Sequence, residues 1–298
     1  MTFHQLPDAQ GLYSPSFEHD ACGIGFYANI KGHPSHNIVK NGLEMLCRLE
    51  HRAGRGGDGK TGDGAGLMVQ IPDAFFRLNC PDLELPAKGE YGVGQFFFSE
   101  NADEREAIEK KINELIESEG QVLIGWRTAP TNKKLLSDIA KATAPIVRQV
   151  FIKKNDNIQT TLDFERKLYL IRKQAEFYAK QNNYKFYCPS MSSQTMVFKG
   201  LLTPEEVSEF YLDLQDSSFI SAFSIVHSRY STNTFPSWER AHPNRYIVHN
   251  GEINTLRGNI NWMTAREQQF VSEAFGEDLQ KLLPIIDHSG SDSSMLDN

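Results

Sequence analysis

The side chains best equipped for chemistry lie in four separated stretches of this 298-residue chain. "HDACGIGF" (residues 19–26) carries Cys22, and "VHSRYSTNTFPSW" (226–238) carries His227 and Arg229. "VHNGEINT" (248–255) carries His249, Asn250 and Gly251, and "HSGSDSS" (288–294) carries Asp292. A cysteine is a nucleophile once its thiol is deprotonated. An asparagine amide beside a glycine N–H supplies two donors that can converge on a developing oxyanion. An arginine can hold a carboxylate through two parallel hydrogen bonds. An aspartate among serines can accept from an ammonium group or cap a helix. Each residue also has an ordinary reading. Cys22 would be a buried strand thiol, Asn250–Gly251 a hairpin turn and Arg229 a surface ion-pair partner. His227 and His249 stand at no recognised metal-ligand spacing, so they read as packed, hydrogen-bonded histidines and no metal is expected.

A fifth stretch, "GRGGDGKT" from Gly54 to Thr61, matches the phosphate-loop pattern GxxxxGK[ST] at every position. That chemistry needs a strand before the loop and a helix after it. Here a helical period precedes the loop, and "GDGAGLMVQI" follows it. Gly62, Gly64 and Gly66 would each disfavour a helix by about 1 kcal/mol relative to alanine. The stretch therefore reads as a tight glycine loop, with nucleotide binding as the alternative.

The elements around these residues can be read from their periods. Cys22, Ile24, Phe26, Ala28 and Ile30 alternate with Gly23, Gly25, Tyr27 and Asn29, the pattern of a strand with one packed face. Val39, Leu43, Leu46 and Cys47 share a helical face, provided Gly42 is tolerated. "LMVQI", "YGVGQFFF", "QVLIGWRT" and "PIVRQVFI" read as strands. Ile108, Ile112, Leu115 and Ile116 mark an amphipathic helix ended by Gly120. Phe164, Leu168, Ile171, Ala175 and Tyr178 mark a helix between Thr160 and Asn182. Thr203, Pro204 and Glu206 form a capping box. "FISAFSIVHSRYST" reads as a long strand and "RYIVHN" as a short one, with helices at about 261–270 and 277–283. Strands are many, helices come in blocks and regular βαβ alternation is absent, which predicts an α+β fold with largely antiparallel sheets.

The bulk properties exclude several classes. A net charge of −7 argues against a nucleic-acid binder. No apolar run approaches the ~18 residues of a membrane helix. Residues 1–21 contain no lysine or arginine and no apolar core, so neither a secretory signal nor a transit peptide is expected. Cys22, Cys47, Cys80 and Cys188 are far apart with no CxxC pair, which fits reduced thiols in a cytoplasmic protein.

Taken in order, "ACGIGF", "HRAGRGGDGKTGDGAG", "HSRYSTNTFPSW", "HNGEINT" and "SDSSMLDN" resemble the N-terminal glutaminase domain of the glutamate synthase large subunit. That domain is a class II glutamine amidotransferase of the N-terminal-nucleophile hydrolase superfamily. The resemblance runs from Cys22 to the end of the chain. It implies a four-layer αββα sandwich, with residues 1–21 a propeptide and 22–298 an amidotransferase domain that continues past Asn298. It further implies cleavage between Ala21 and Cys22, after which the freed α-amine serves as general base for its own thiol. An α-amine pKa of about 7.7–8.0 against about 8.5 for cysteine suits that role near neutral pH. By the same resemblance Asn250 and Gly251 hold the oxyanion, Arg229 the α-carboxylate of glutamine and Asp292 its α-amino group, with Thr232 lining the pocket. The implied partners are the synthase domains of a full-length large subunit and a small electron-transfer subunit. FMN and an iron–sulfur cluster are implied for the synthase region and no cofactor for this chain. Another class II amidotransferase, delivering ammonia to a different acceptor, is the other enzymatic reading.

Overall fold

A computed structural model of the chain describes residues 8–12, 14, 23–231 and 234–298. Cys22, Thr232 and most of the 1–21 segment lie outside the described residues. The strands are β1 (Ile24–Ala28), β2 (Ala65–Gln70), β3 (Tyr91–Phe98), β4 (Val122–Thr128), β5 (Ile146–Lys153), β6 (Phe186–Ser192), β7 (Thr195–Gly200) and β8 (Phe223–Ser228). The helices are α1 (His36–Arg48), α2 (Asp73–Asn79), α3 (Ala102–Ser118), α4 (Asp138–Thr143), α5 (Thr161–Gln181), α6 (Glu206–Phe210), α7 (Leu256–Glu267) and α8 (Asp292–Asp297).

Two four-stranded sheets form, in the orders β1-β8-β2-β7 and β4-β5-β3-β6. Every pairing between these strands is antiparallel. The alternation of β3 explains the layering. Val93 and Phe97 join one core together with Leu67, Val69 and Phe198 of the other sheet. Phe96 and Phe98, on the opposite face, join a second core with Ile108, Ile112, Phe164, Leu168 and Ile171 of α3 and α5. Helix α1 covers the first sheet through Val39 and Leu46. It approaches β8 so closely that a methyl group on Gly42 would collide with the Ser224 side chain. Helices thus cover both sheets, α1 the first and α3 and α5 the second, an α+β arrangement consistent with the αββα sandwich that the resemblance implies. Between the sheets, Gln149 donates to Gln95, Gln95 donates to the carbonyl of Val197, and Arg127 pairs with both Gln149 and Asp213. That file satisfies polar groups which would each be costly to bury alone.

Local signals set the helix ends. The Asn101 side chain accepts from the Asp103 and Glu104 amides at the start of α3. Gly120, at φ +73°, ends the same helix; the amides of Gly120 and Gln121 reach back to the carbonyls of Glu117 and Ile116. Thr160 caps α5. Of the capping box at Thr203, the Glu206 carboxylate accepts the Thr203 amide, and α6 itself starts at Glu206.

Three expectations differ from the structure. Strand β8 is shorter than its apolar pattern and spans Phe223–Ser228. "RYIVHN" is not a strand: the amides of Arg245, Tyr246 and Ile247 donate to the Asp297 carboxylate, so no ladder can use them. The stretch Gly276–Leu282 is a 3-10 helix. Strands β6 and β7, joined through Ser193–Gln194, step from one sheet to the other and have no counterpart in the periodicity reading. Among the described residues no helix is long and apolar enough to cross a membrane.

Candidate active site

Strand β8 is the template of the site. Period-two alternation places His227 and Arg229 on one side of its extended chain. Its backbone is held by β1 on one flank and β2 on the other, with His227 opposite Ile24 and Gly66. At the last residue of the strand, the Ser228 amide donates to the carbonyl of Gly23 at 2.8 Å. Gly23 is the residue that follows Cys22 in the chain.

The glycine loop braces Arg229. The Arg229 amide donates to Gly64 and its carbonyl accepts from Gly54, both at 2.9 Å. The Ser231 amide donates to the buried Asp63 carboxylate at 2.7 Å. The guanidinium donates through Nη1 to the Asp63 carbonyl at 3.2 Å and through Nη2 to Thr234 Oγ1 at 2.7 Å. Burial lowers the Arg229 pKa, because the charged form is desolvated. Asp63 and Asp292 attract this cation from a distance; no ion pair of 4.0 Å or less forms with it among the described residues. Arg229 is thus a fixed, buried cation with donor capacity to spare. It is not the surface ion-pair partner that sequence alone also allowed.

The loop is not a phosphate cradle. Helix α1 and a 3-10 turn at Glu50–Arg52 precede it, and β2 follows it. Arg55 and Gly62 pair across it, and the exposed Asp58 carboxylate ties its tip to the amides of Lys60 and Thr61. Neither the preceding strand nor the following helix of a phosphate loop is present.

The segment carrying Asn250 and Gly251 is tied down on both sides. The His249 ring bonds through Nδ1 to Ser293 Oγ at 2.8 Å. The Ile253 amide donates to Asp292 Oδ2 at 2.7 Å. Asp292 Oδ1 accepts from the Ser293 amide at 2.6 Å. No strand flanks Asn250–Gly251, so it is not a hairpin turn. Ser291, not Asp292, is the N-cap of α8, since its side chain accepts from the Ser294 amide. Asp292 stands at the first helical position and faces the loop.

These pieces line one cavity of about 300 Å³, whose walls include Arg229, Asn250, Gly251 and Asp292 with His227 and Thr234. Gly23 reaches the same place: a methyl group on it would lie 3.1 Å from Asn250 Oδ1. In the cavity wall, the rings of His227 and His242 lie with centroids 4.7 Å apart and planes tilted by 32°. Burial lowers their pKa values to about 4 and about 2, so both are neutral at pH 7. The structure brings together four sequence-predicted site residues, while Cys22 and Thr232 lie outside the described residues. Sequence reasoning missed Asp63, Thr234 and Ser293. The first was hidden in a loop that looked like a phosphate binder. Thr234 and Ser293 carry no signal apart from their neighbours.

Two antiparallel sheets with helices packed on them, and a cavity of amide, guanidinium and carboxylate groups, match a known class over most of the chain. Residues 22–298 match the family of class-II glutamine amidotransferases, and the chain belongs to that family. It is 65% identical over 298 residues to the glutamate synthase (NADPH) large chain of Bacillus subtilis (strain 168), a match covering 100% of this chain and 20% of that protein. It is 43% identical over 300 residues to the glutamate synthase (NADH) of Schizosaccharomyces pombe, covering 98% of this chain and 14% of that protein. The chloroplastic ferredoxin-dependent glutamate synthase of rice is 41% identical over 287 residues, with 94% and 18% covered. The chain spans a fifth or less of the length of these relatives.

Proposed function

We propose that this chain is the glutaminase part of a glutamate synthase, releasing ammonia from glutamine for glutamate synthesis from 2-oxoglutarate. The observation that carries this reading is the convergence of Arg229, Asn250, Gly251 and Asp292, drawn from three distant stretches, on one cavity beside the residue that follows Cys22. Their chemistry suits the parts of glutamine. The guanidinium of Arg229 takes the α-carboxylate. Asp292 Oδ2, which accepts only the Ile253 amide among the described residues, has acceptor capacity left for the α-ammonium. Asn250 and the Gly251 amide stand where the side-chain carbonyl oxygen turns anionic.

The reaction follows from these roles. Cleavage between Ala21 and Cys22 leaves Cys22 with a free α-amine, which takes the thiol proton. The thiolate attacks the side-chain amide carbon, and the negative charge moves to the carbonyl oxygen between Asn250 and Gly251. The C–N bond breaks, the departing nitrogen takes the proton from the α-ammonium, and ammonia leaves. Water then attacks the γ-glutamyl thioester, regenerating the thiol and releasing glutamate. The neutral His227 and His242 are not required as bases in this scheme.

By resemblance, FMN and an iron–sulfur cluster belong to a synthase region of the same subunit, served by a small electron-transfer subunit. The described cysteines of this chain offer no seat for a cluster. Cys80 packs in the core between the sheets and Cys188 in the core under α3 and α5. No step above passes through either group. A cytoplasmic location fits the reduced thiols that this chemistry needs.

The test is the intact mass and N-terminal sequence of the purified chain, followed by a glutamine hydrolysis assay. A chain starting at Cys22 whose activity is lost in Cys22→Ala supports the reading. Full glutaminase activity in a chain still carrying residues 1–21 would refute the amine-as-base mechanism.

A further inference from the structure

We propose that His227 is a positioning residue for the oxyanion donors: its ring N–H holds the carbonyl of His249 and so fixes the peptide that leads into Asn250 and Gly251. This rests on the proposed roles of those two residues. His227 Nε2 lies 3.1 Å from the His249 carbonyl oxygen. A carbonyl oxygen can only accept, so Nε2 carries the proton and Nδ1 does not. Nδ1 is buried and has no partner among the described residues. The ring therefore makes one directed hydrogen bond, and that bond points at the backbone next to the site.

The orientation of this ring is fixed from two sides. Its strand is paired on both flanks, and the tilted ring of His242 packs against it. The far end of the same segment is fixed through Asp292. Ser293 Oγ donates to Asp292 Oδ1 at 3.2 Å, so the proton shared between His249 and Ser293 belongs to His249 Nδ1. A methyl group on Gly251 would lie 3.4 Å from His249 Nε2, so the ring packs against the glycine. Residues 249–253 are thus held by His227 at the carbonyl of His249, by Ser293 at its ring and by Asp292 at the amide of Ile253. Only the first of these restraints comes from the strand that leads directly into Arg229. It sets the oxyanion donors in register with the carboxylate anchor, a relation on which a transition state spanning both ends of glutamine depends.

A positioning role predicts a defect in turnover without a defect in binding. In the full-length chain, His227→Leu should lower kcat at least tenfold and leave KM for glutamine within twofold. His227→Gln, whose amide can donate to the same carbonyl, should recover most of that loss. Titration of Cys22 with iodoacetamide should show the nucleophile intact in both. The proposal is overturned if His227→Leu keeps its kcat, if KM rises instead, or if His227→Gln is no better than His227→Leu. Should His227→Leu fail to fold, His227→Gln decides alone, and a tenfold loss of kcat in it overturns the proposal. Asn250→Ala in the same series separates the two ideas. If it keeps full kcat, the assignment of the oxyanion donors is wrong; if it loses kcat while His227→Leu does not, only the role of His227 is wrong.

Discussion

Gly23 lies against Asn250: a methyl group on the glycine would come within 3.1 Å of the asparagine side-chain oxygen and would collide with the carbonyl of Ser228. The second partner is backbone in a paired region and cannot step aside. Gly23→Ala is therefore expected to destabilise the fold by about 1–3 kcal/mol and to depress glutamine turnover. Urea midpoints compared with kcat on the same preparation would check it, and unchanged stability would contradict the close approach.

Asn250→Ala removes one of two donors. Its kcat is expected to fall about 10²–10³-fold, equivalent to about 3–4 kcal/mol, with KM for glutamine changed far less. Steady-state assays over a range of glutamine concentrations measure both.

Arg229→Lys keeps the charge and loses the planar fork that Asp63 and Thr234 hold in place. The expected result is a fall in kcat/KM of about 10–100-fold, or about 1.5–3 kcal/mol. Most of it should appear as raised KM. A loss confined to kcat would argue that Arg229 does not hold the substrate carboxylate.

Stability should depend on His227 in mildly acid solution. Burial depresses its pKa from 6.5 to about 4 in the folded chain. The unfolded chain therefore binds more protons between those values. Stability is complete above pH 6.5 and is lost as pH falls toward 4, by up to about 3 kcal/mol. Urea titrations at several pH values should show this slope in the native chain and a shallower one in His227→Gln. Equal slopes would remove His227 as its source.

Lys60 is exposed at the tip of a turn, with no phosphate-binding context around it. Lys60→Ala is expected to leave kcat and KM for glutamine within twofold, and ATP should give no thermal stabilisation of either form. A clear ATP-dependent shift lost in Lys60→Ala would revive the nucleotide reading.

How much of this was legible beforehand differed between elements. The double alternation of β3, the apolar stripe of α5 and the terminating Gly120 are short-range patterns, and each formed where its period placed it. The stretch at 245–250 has a strand's composition, yet its amides are claimed by Asp297, some fifty residues on, which no local period can reveal. Strand β6 is interrupted by Pro189, a residue that lacks the ladder donor and masks a strand pattern. For the site, the residue types were visible and their convergence was not. Arg229 and Asn250 were each weak alone, and only the ordered set of motifs joined them. The bracing role of Asp63 stayed hidden because its partners, the Arg229 guanidinium and the Ser231 amide, lie 166 and 168 residues away in the chain.

The hydrogen bond from Ser228 to Gly23 has a consequence for how a reactive end can be made. Among the described residues, the pairing of β1 with β8 begins at Gly23, one position after the proposed scission point. Trimming the chain there severs none of those rungs. Maturation can thus expose a new amino terminus without loosening the sheet that aims it, and blocking or alkylating that terminus should silence the chemistry while the melting behaviour stays the same.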